Sequence, residues 1–412
     1  MFCRKFCSAI SKKPFIINQF VRIEKQKFVT TKMDDIIEQA KQNRQYEYDE
    51  FRSYFSTILN LICENNNDHQ DDDDDHHHHH RKFPNISITS DWFQRMLTYN
   101  VPNGKLNRGL SVVVSYRILK PNATSMEMDN ARLLGWCMEM FQTSFLIIDD
   151  IMDESITRRR QPCWYRLPEV GMIACNDAML LECFIYQLLH ERIGQHRSYL
   201  DMINLIHKGF RVTSIGQCMD VLTEKSLKTT INHHDFRGNN FQNFHIERYR
   251  EIVAHKTSFY SFVLSIRLAL YLANYDDPGL HSEIEKILMN IGELFQIQDD
   301  FLDCFGDAEQ MGKIGTDIQD GKCSWLIVRA LELANDQQRK LLEQYYGNKN
   351  DESIIKDLYR QLNLVQEYQH YHCQTLTTII DSIERFQQQM DQMISNKLFN
   401  EPLTHVFIGR DC

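Results

Sequence analysis

The sequence predicts an all-α fold, and three observations carry that expectation. Helix breakers are scarce, with 16 Gly and 8 Pro among 412 residues. Leu, Ile, Met, Gln and Glu recur three and four positions apart through most of the chain, which is helical spacing. No succession of segments alternates apolar with polar residues as a half-buried sheet would. Length alone allows two or three domains, but the uniform texture argues for one helical body over residues 33–412.

Residues 1–32 stand apart. Arg4, Lys5, Lys12, Lys13 and Arg22 precede the first acid, Glu24, with scattered Phe and Ile and no sustained apolar run. That is the make-up of a mitochondrial transit peptide, or else of a basic tail on a cytoplasmic protein. Between Asn65 and Lys82 the chain reads NNNDHQDDDDDHHHHHRK. Consecutive His can bind metal, but the tract is too polar to bury anything and is expected as a solvated insertion, about 65–82. It also inflates the formal net charge of −10, which argues against nucleic acid as a partner. The 12 Cys form no CxxC pair and are expected as reduced thiols. The most apolar stretch, Phe259 to Ala273, is shorter than a bilayer span and contains Arg267, so a soluble, intracellular protein without a membrane span is expected.

Along the remaining chain, Gly104-Lys105-Leu106-Asn107-Arg108-Gly109 reads as a glycine-bracketed basic turn, without the Walker spacing of a P-loop. Thr124 with Glu127 makes a capping box that opens a helix to about Asp153. Helical spacing continues over about Asn176–Leu189, Tyr199–Leu222 and Arg248–Ala273, with a second polar insertion over Lys228–Asn243. Ser282 with Glu285 is expected to open a further helix that runs to about Phe305, before Gly306.

Two helices of this set carry the chemistry. FQTSFLIIDDIMD ends in Asp149, Asp150 and Asp153, and FQIQDDFLD ends in Asp299, Asp300 and Asp303. In each, the first and last aspartates lie four apart on one helix face, with their carboxylates about 6 Å apart. Both sets fall near helix C-terminal ends, where the macrodipole disfavours negative charge. Local energetics did not put them there, which points to function. Hard carboxylate oxygens suit Mg²⁺, which usually brings phosphate oxygens as its other ligands, so two sets suggest one site between two helices. Cations follow each set: Arg158, Arg159 and Arg160 within two helical turns of the first, Lys313 and Lys322 after the second. Lys256-Thr257 lies in an apolar segment, HKTSFYSFVL, where a Lys needs an anion or a carbonyl.

These motifs, DDIMD followed by TRR, then GQCMD, HKTSFYSF, FQIQDDFLD and GKIGTDIQDGKCSWL, resemble in content and order the short-chain trans-prenyl diphosphate synthases. Most similar are the eukaryotic farnesyl-producing members, over about Gly104 to Gly409. The resemblance implies an isoprenoid synthase fold of ten or more antiparallel helices around a deep central cavity, assembled as a homodimer. It implies condensation of isopentenyl diphosphate with dimethylallyl and then geranyl diphosphate. By resemblance, Asp149, Asp153 and Asp299 are the principal ligands of three Mg²⁺ ions, with Mn²⁺ as an alternative ion. Asp150, Asp300 and Asp303 support them, and Gln217 and Asp220 lie near the metal end. Arg158, Lys256, Lys313 and Lys322 are implied to hold the allylic diphosphate. Lys105, Arg108, Gln142 and Arg159 are implied to hold that of isopentenyl diphosphate, with Phe295 beside its hydrocarbon part. Thr257, Gln296 and the Lys256 carbonyl face the developing carbocation.

The sequence departs from the family in three places. Animal farnesyl-producing members carry aromatics at the fourth and fifth residues before the first Asp, whereas here Phe145 keeps one and Ser144 replaces the other. Mainly C15 product with leakage to C20 is expected. Arg160 stands where the family usually has Gly, and Gly409-Arg410-Asp411-Cys412 stands where the family continues into a basic tail, which would raise the Michaelis constant for isopentenyl diphosphate. Rival readings are a lyase derived from this scaffold that ionises farnesyl diphosphate, a synthase making geranyl or geranylgeranyl diphosphate, and a non-catalytic subunit. The retained Lys105, Arg108, Gln142 and Arg159 speak against the lyase, and the six retained aspartates against the subunit.

Overall fold

The computed structural model describes residues 44–64, 87–228, 240–306, 315–389, 396–400 and 402–403. The basic segment 1–32, the Asp/His tract, Lys313 and Gly409 to Cys412 lie outside the described residues. The longer helices are α1 (Phe55–Glu64), α2 (Ser87–Asn100), α3 (Asn107–Leu119), α4 (Ser125–Met152), α5 (Ile173–Ile193), α6 (Tyr199–Lys228) and α7 (Ile246–Val253). A π-helical segment (Ala254–Leu264) joins α7 to α8 (Ser265–Leu272), and α9 (Pro278–Phe305) follows. A short α10 (Asp317–Asp320) leads to α11 (Trp325–Leu333), α12 (Asp336–Tyr345), α13 (Glu352–Gln361) and α14 (Leu364–Gln389). The fold is all-α, as expected. One two-residue antiparallel pair, β1 (Thr157–Arg158) with β2 (Gln161–Pro162), is the only sheet among the described residues. No described helix is long and apolar enough to cross a membrane, and the described cysteines are free thiols.

Local chemistry explains the helix that carries the first aspartate set. Thr124 accepts from the Glu127 N–H and Glu127 reaches back to the Thr124 N–H, closing the capping box before α4. Asp153 caps the other end, and Glu154 at φ 53° turns the chain out of the helix. Arg158 to Arg160 therefore leave the helix altogether. Arg159 (φ 54°) and Arg160 (φ 64°) form the left-handed turn of the β1–β2 hairpin, which explains why glycine suits position 160.

The second helix starts earlier than expected. Asp277 accepts from the Leu280 N–H at 2.7 Å and Pro278 occupies the first helical position, so α9 opens at Pro278 and Ser282 lies inside it. An Asp-Pro start satisfies the free N–H groups one turn upstream of the Ser282–Glu285 pair. Its end at Phe305 before Gly306 agrees with the sequence.

Two apolar cores meet along α9. Leu280, Ile284, Leu288, Ile291 and Leu294 belong to the first, built on α1–α6, the π-helical segment, α8 and α14 around the fully buried Trp136, which stacks on Phe51 at 4.5 Å and donates to its carbonyl at 2.9 Å. Ile297 and Cys304 belong to the second, with Tyr249, Trp325, Tyr346 and Tyr359. The second aspartate set lies on this last stretch of α9.

The π-helical segment is squeezed between two glycines. A Cβ on Gly216 of α6 would stand 2.2 Å from the Lys256 nitrogen, and one on Gly292 of α9 would stand 2.5 Å from the Ser258 Cβ. Only the missing side chains let three helices approach so closely. The widened turn begins two residues before Lys256, and such turns cluster at functional sites.

Candidate active site

Asp149 is the hub of the first set. Its Oδ1 accepts from Gln217 Nε2 at 2.8 Å and from Lys256 Nζ at 3.2 Å, and its Oδ2 lies 3.7 Å from Arg158. Burial opposes its ionisation, but Lys256, Arg158 and Lys322 outweigh burial and hold the carboxyl below its usual range. Lys256 also reaches Asp220 Oδ2 at 2.6 Å. Asp220 is buried, yet Lys256 and Lys322 lower it to about 2. Asp153 pairs with Lys322 at 3.0 Å, but burial and the neighbouring Asp149 push its carboxyl up. Asp150 takes the same arginine, Arg158, whose Nε and Nη2 both donate to its Oδ1, at 3.0 and 2.5 Å. The anion that the apolar context of Lys256 demanded is thus Asp149 and Asp220 together.

The second set is reached from the next residue. Thr257 Oγ1 donates to Gln296 Oε1 at 3.0 Å, and Gln296 Nε2 donates to Asp300 Oδ1 at 2.9 Å. Asp300 Oδ2 accepts the Trp325 N–H at 2.7 Å. Burial raises Asp300 to about 7 against these hydrogen bonds, and the adjacent Asp299 adds to the rise. Asp303 Oδ2 accepts the Asp317 N–H at 3.0 Å, and a Cβ on Gly315 would strike the Asp303 carbonyl. Lys322 returns the loop after α10 to the first set.

A second basic cluster lies beside these. Arg108 Nη1 donates to Gln142 Oε1 at 2.8 Å, its Nε and Nη2 donate to Ser261 Oγ at 3.0 and 2.7 Å, and its guanidinium lies over the Tyr260 ring. Arg159 donates to the Asn100 and Val101 carbonyls and lies flat against Gly104, next to Lys105. The expected basic turn is partly helix: Asn107, Arg108 and Gly109 form the first turn of α3. Gly109 is there for packing, because a Cβ would meet the Gly135 carbonyl at 2.6 Å, and its N–H is taken by the buried Glu139 at 2.7 Å.

Below Asp149, rings fill the core side of α4. Phe145 lies 5.2 Å from Phe141 and 5.7 Å from Phe210, and Phe141 lies 4.3 Å from Phe210. Ser144 is buried with its hydroxyl donated to the Phe141 carbonyl at 2.8 Å. Phe295 packs edge-on to Phe262 at 5.3 Å. Sequence reasoning missed Ser261, Glu139, Glu224, which pairs with Lys322 at 3.2 Å, and Tyr346, whose hydroxyl donates to the Lys322 carbonyl at 2.6 Å. Ser261 had a readable signal, a polar residue within an apolar helical run; the others depend on tertiary contact.

Among the described residues no three acidic, His or Cys side chains close into a metal cage. The first set is instead neutralised by Lys256, Lys322 and Arg158. Its donor chemistry still fits Mg²⁺, since Asp149, Asp153 and Asp220 offer only hard oxygens and concentrate enough negative charge to draw two ammonium groups.

Comparison with known proteins agrees with this geometry. The polyprenyl synthetase family model matches residues 90–362. A farnesyl pyrophosphate synthase of Saccharomyces cerevisiae is 45% identical over 287 residues, 68% of this chain and 79% of that protein. One of Artemisia annua is 44% identical over 306 residues, 74% of this chain and 86% of its own length. Among solved structures, a T. brucei farnesyl diphosphate synthase complexed with a bisphosphonate superposes with a TM-score of 0.75 at 27% identity, over 87% of this chain and 97% of that one. With the motifs in family order, Lys256 paired with the first aspartate set, Thr257 linked through Gln296 to the second, and a family match across most of the described residues, the chain belongs to the polyprenyl synthetase family.

Proposed function

We propose that this chain is a prenyltransferase that condenses isopentenyl diphosphate with dimethylallyl diphosphate and then with geranyl diphosphate, releasing farnesyl diphosphate. The observation that carries this reading is the reach of two adjacent residues. Lys256 binds Asp149 and Asp220, while Thr257 binds Gln296 and through it Asp300. Adjacent residues of one helical turn therefore reach both aspartate sets. The likeness to farnesyl pyrophosphate synthases from several organisms supports the substrate class.

In this reading Arg158, Lys256 and Lys322, with Lys313, hold the allylic diphosphate. Lys105, Arg108, Gln142 and Arg159 hold the diphosphate of isopentenyl diphosphate, with Phe295 beside its hydrocarbon part. Mg²⁺ bound at Asp149, Asp153 and Asp299 would neutralise the leaving diphosphate, with three ions proposed and Mn²⁺ as an alternative. Asp150 and Asp300 suit a supporting role because their oxygens are already engaged by Arg158 and by the Trp325 N–H. When the allylic C–O bond breaks, its electron pair leaves with the diphosphate and a delocalised cation remains. The double bond of isopentenyl diphosphate attacks that cation, and the proton then lost from the adjacent carbon goes to the released diphosphate. Gln296 donates its amide nitrogen to Asp300 and accepts from Thr257 at its oxygen, which sets the two oxygens side by side, and in this reading their dipoles stabilise the cation. The surrounding apolar walls keep water from it.

The same likeness carries a homodimer, which light scattering after size-exclusion chromatography tests. It also carries a single synthase domain over residues 33–412. Incubation of the purified chain with Mg²⁺ and dimethylallyl, geranyl or farnesyl diphosphate, each with and without isopentenyl diphosphate, tests the reaction. Dephosphorylated C15 alcohol is expected. Only C10 product would reject the assignment, and a volatile product from farnesyl diphosphate alone would replace it with a lyase.

A further inference from the structure

An ammonium group has three N–H donors and no acceptor. Lys322 Nζ lies 3.0 Å from Asp153 Oδ1, 3.4 Å from Asp220 Oδ2 and 3.2 Å from Glu224 Oε2. Asp153 and Asp220 accept hydrogen bonds from it and Glu224 adds an ion pair, so three carboxylates surround one ammonium group. Its backbone is equally fixed: Gly321 turns at φ 78°, the Lys322 N–H donates to the Asp317 carbonyl at 3.0 Å, and its carbonyl accepts from Tyr346 Oη at 2.6 Å. A diphosphate oxygen approaching Lys322 competes with all three carboxylates for its charge. Lys256 differs, because it forms ion pairs with two carboxylates, Asp149 and Asp220, where Lys322 has three.

The three partners of Lys322 are not equivalent. Asp153 belongs to the first aspartate set, and Asp220 is shared with Lys256. Glu224 belongs to neither set and stands one helical turn further along α6, away from Gln217 and Asp149. Its charge acts against a diphosphate twice, by engaging Lys322 and by repelling the anion. Lys322 keeps only 14% of its side chain exposed, so solvent screens the pair weakly.

We infer that Glu224 is a positioning residue that holds Lys322 back from the allylic diphosphate and so weakens retention of the released inorganic diphosphate. This rests on the proposed placement of that diphosphate at Lys322. The exchange is a competition between two anions for one cation, so removing the resident anion strengthens the visitor.

Calorimetric titration of the full chain with inorganic diphosphate in Mg²⁺ tests it in four proteins: wild type, Glu224→Gln, Lys322→Ala and the double variant. Glu224→Gln is expected to tighten the dissociation constant about three- to tenfold. It should lower KM for geranyl diphosphate in step while leaving KM for isopentenyl diphosphate unchanged. Glu224→Ala should behave alike, and the gain should vanish in the Lys322→Ala background. Unchanged or weaker binding in Glu224→Gln, with Lys322→Ala weakened, overturns the role of Glu224 alone. Unchanged binding in Lys322→Ala removes the placement of the diphosphate and the inference with it.

Discussion

Gly216 lies against the backbone of Lys256, so close that a Cβ at 216 would stand 2.2 Å from the Lys256 nitrogen and 2.6 Å from the His255 carbonyl carbon. Backbone cannot rotate aside as a side chain can. Gly216→Ala is therefore expected to cost about 2–3 kcal/mol in urea unfolding and to push Lys256 off its bridge between Asp149 and Asp220. KM for the allylic substrate should rise more than KM for isopentenyl diphosphate, because Arg108 and Gln142, the residues proposed to hold the latter, are built on α3 and α4. Wild-type stability with wild-type constants would contradict the close approach.

The same contact shows what was legible in the sequence and what was not. Helix α4 was readable end to end, because Thr124, Glu127 and Asp153 act through groups three or four residues away. The aspartates were readable because their charge runs against the helix dipole. The start of α9 was misread at Ser282, since a capping-box pattern inside a helix looks the same as one at its start until the Asp277-Pro278 alternative is weighed. The π-helical turn left no periodic trace. Gly216 and Gly292 were its only marks, each a glycine interrupting a helical run, and their meaning lies in a partner helix distant in sequence. At Arg160 the departure from the family's usual Gly was visible in the sequence, but the left-handed backbone that makes it matter was not.

Relief of that conformation is measurable. Arg160 sits at φ 64° beside Arg159 at φ 54°, and a left-handed residue other than glycine costs about 1–2 kcal/mol. Glycine gives back part of this through the larger freedom of the unfolded chain. Arg160→Gly is expected to stabilise the protein by about 0.5–1 kcal/mol, seen as a higher urea midpoint at unchanged m-value. A lower midpoint would show that the Arg160 side chain stabilises the hairpin by more than its backbone costs.

His281 gives the fold a pH dependence away from the aspartates. Arg267 Nε–H can only donate, so His281 Nδ1 accepts at 3.0 Å and its Nε2–H donates to the Tyr275 carbonyl at 2.8 Å. The ring is therefore held neutral. Burial lowers its pKa below 6.5, and Arg267 lowers it further, while Asp276 and Asp277 act the other way and Glu285 pairs with Arg267. A depressed folded pKa means that the unfolded chain takes up the proton first. The contribution is complete above about 6.5 and is lost as pH falls through the folded pKa, with a slope of up to about 1.4 kcal/mol per pH unit. Urea unfolding at pH 7, 6 and 5 should show the decline, and His281→Gln should flatten it. An unchanged slope in the variant would assign the decline to other groups.

Product length should follow Phe145. It stands one turn, about 6 Å, below Asp149 on the same face of α4, and its ring closes a stack with Phe141 and Phe210. With the diphosphate placed near Asp149 as proposed, the growing prenyl chain would meet that ring first. Ser144 contributes differently: its side chain is buried and its hydroxyl is committed to the Phe141 carbonyl, so the wall at this level depends on Phe145. Phe145→Ala removes a half-buried ring at a cost of about 2–3 kcal/mol and opens the floor toward Phe210. Geranylgeranyl alcohol should then exceed farnesol among the dephosphorylated products, with KM for isopentenyl diphosphate unchanged because Arg108, Gln142 and Arg159 are untouched. Ser144→Phe should lose stability, since a ring there would have to enter an occupied core and would strip the hydroxyl from its carbonyl. If Phe145→Ala still stops at C15, the floor is set deeper in the stack, and Phe210→Ala in the Phe145→Ala background then becomes the variant that should lengthen the product.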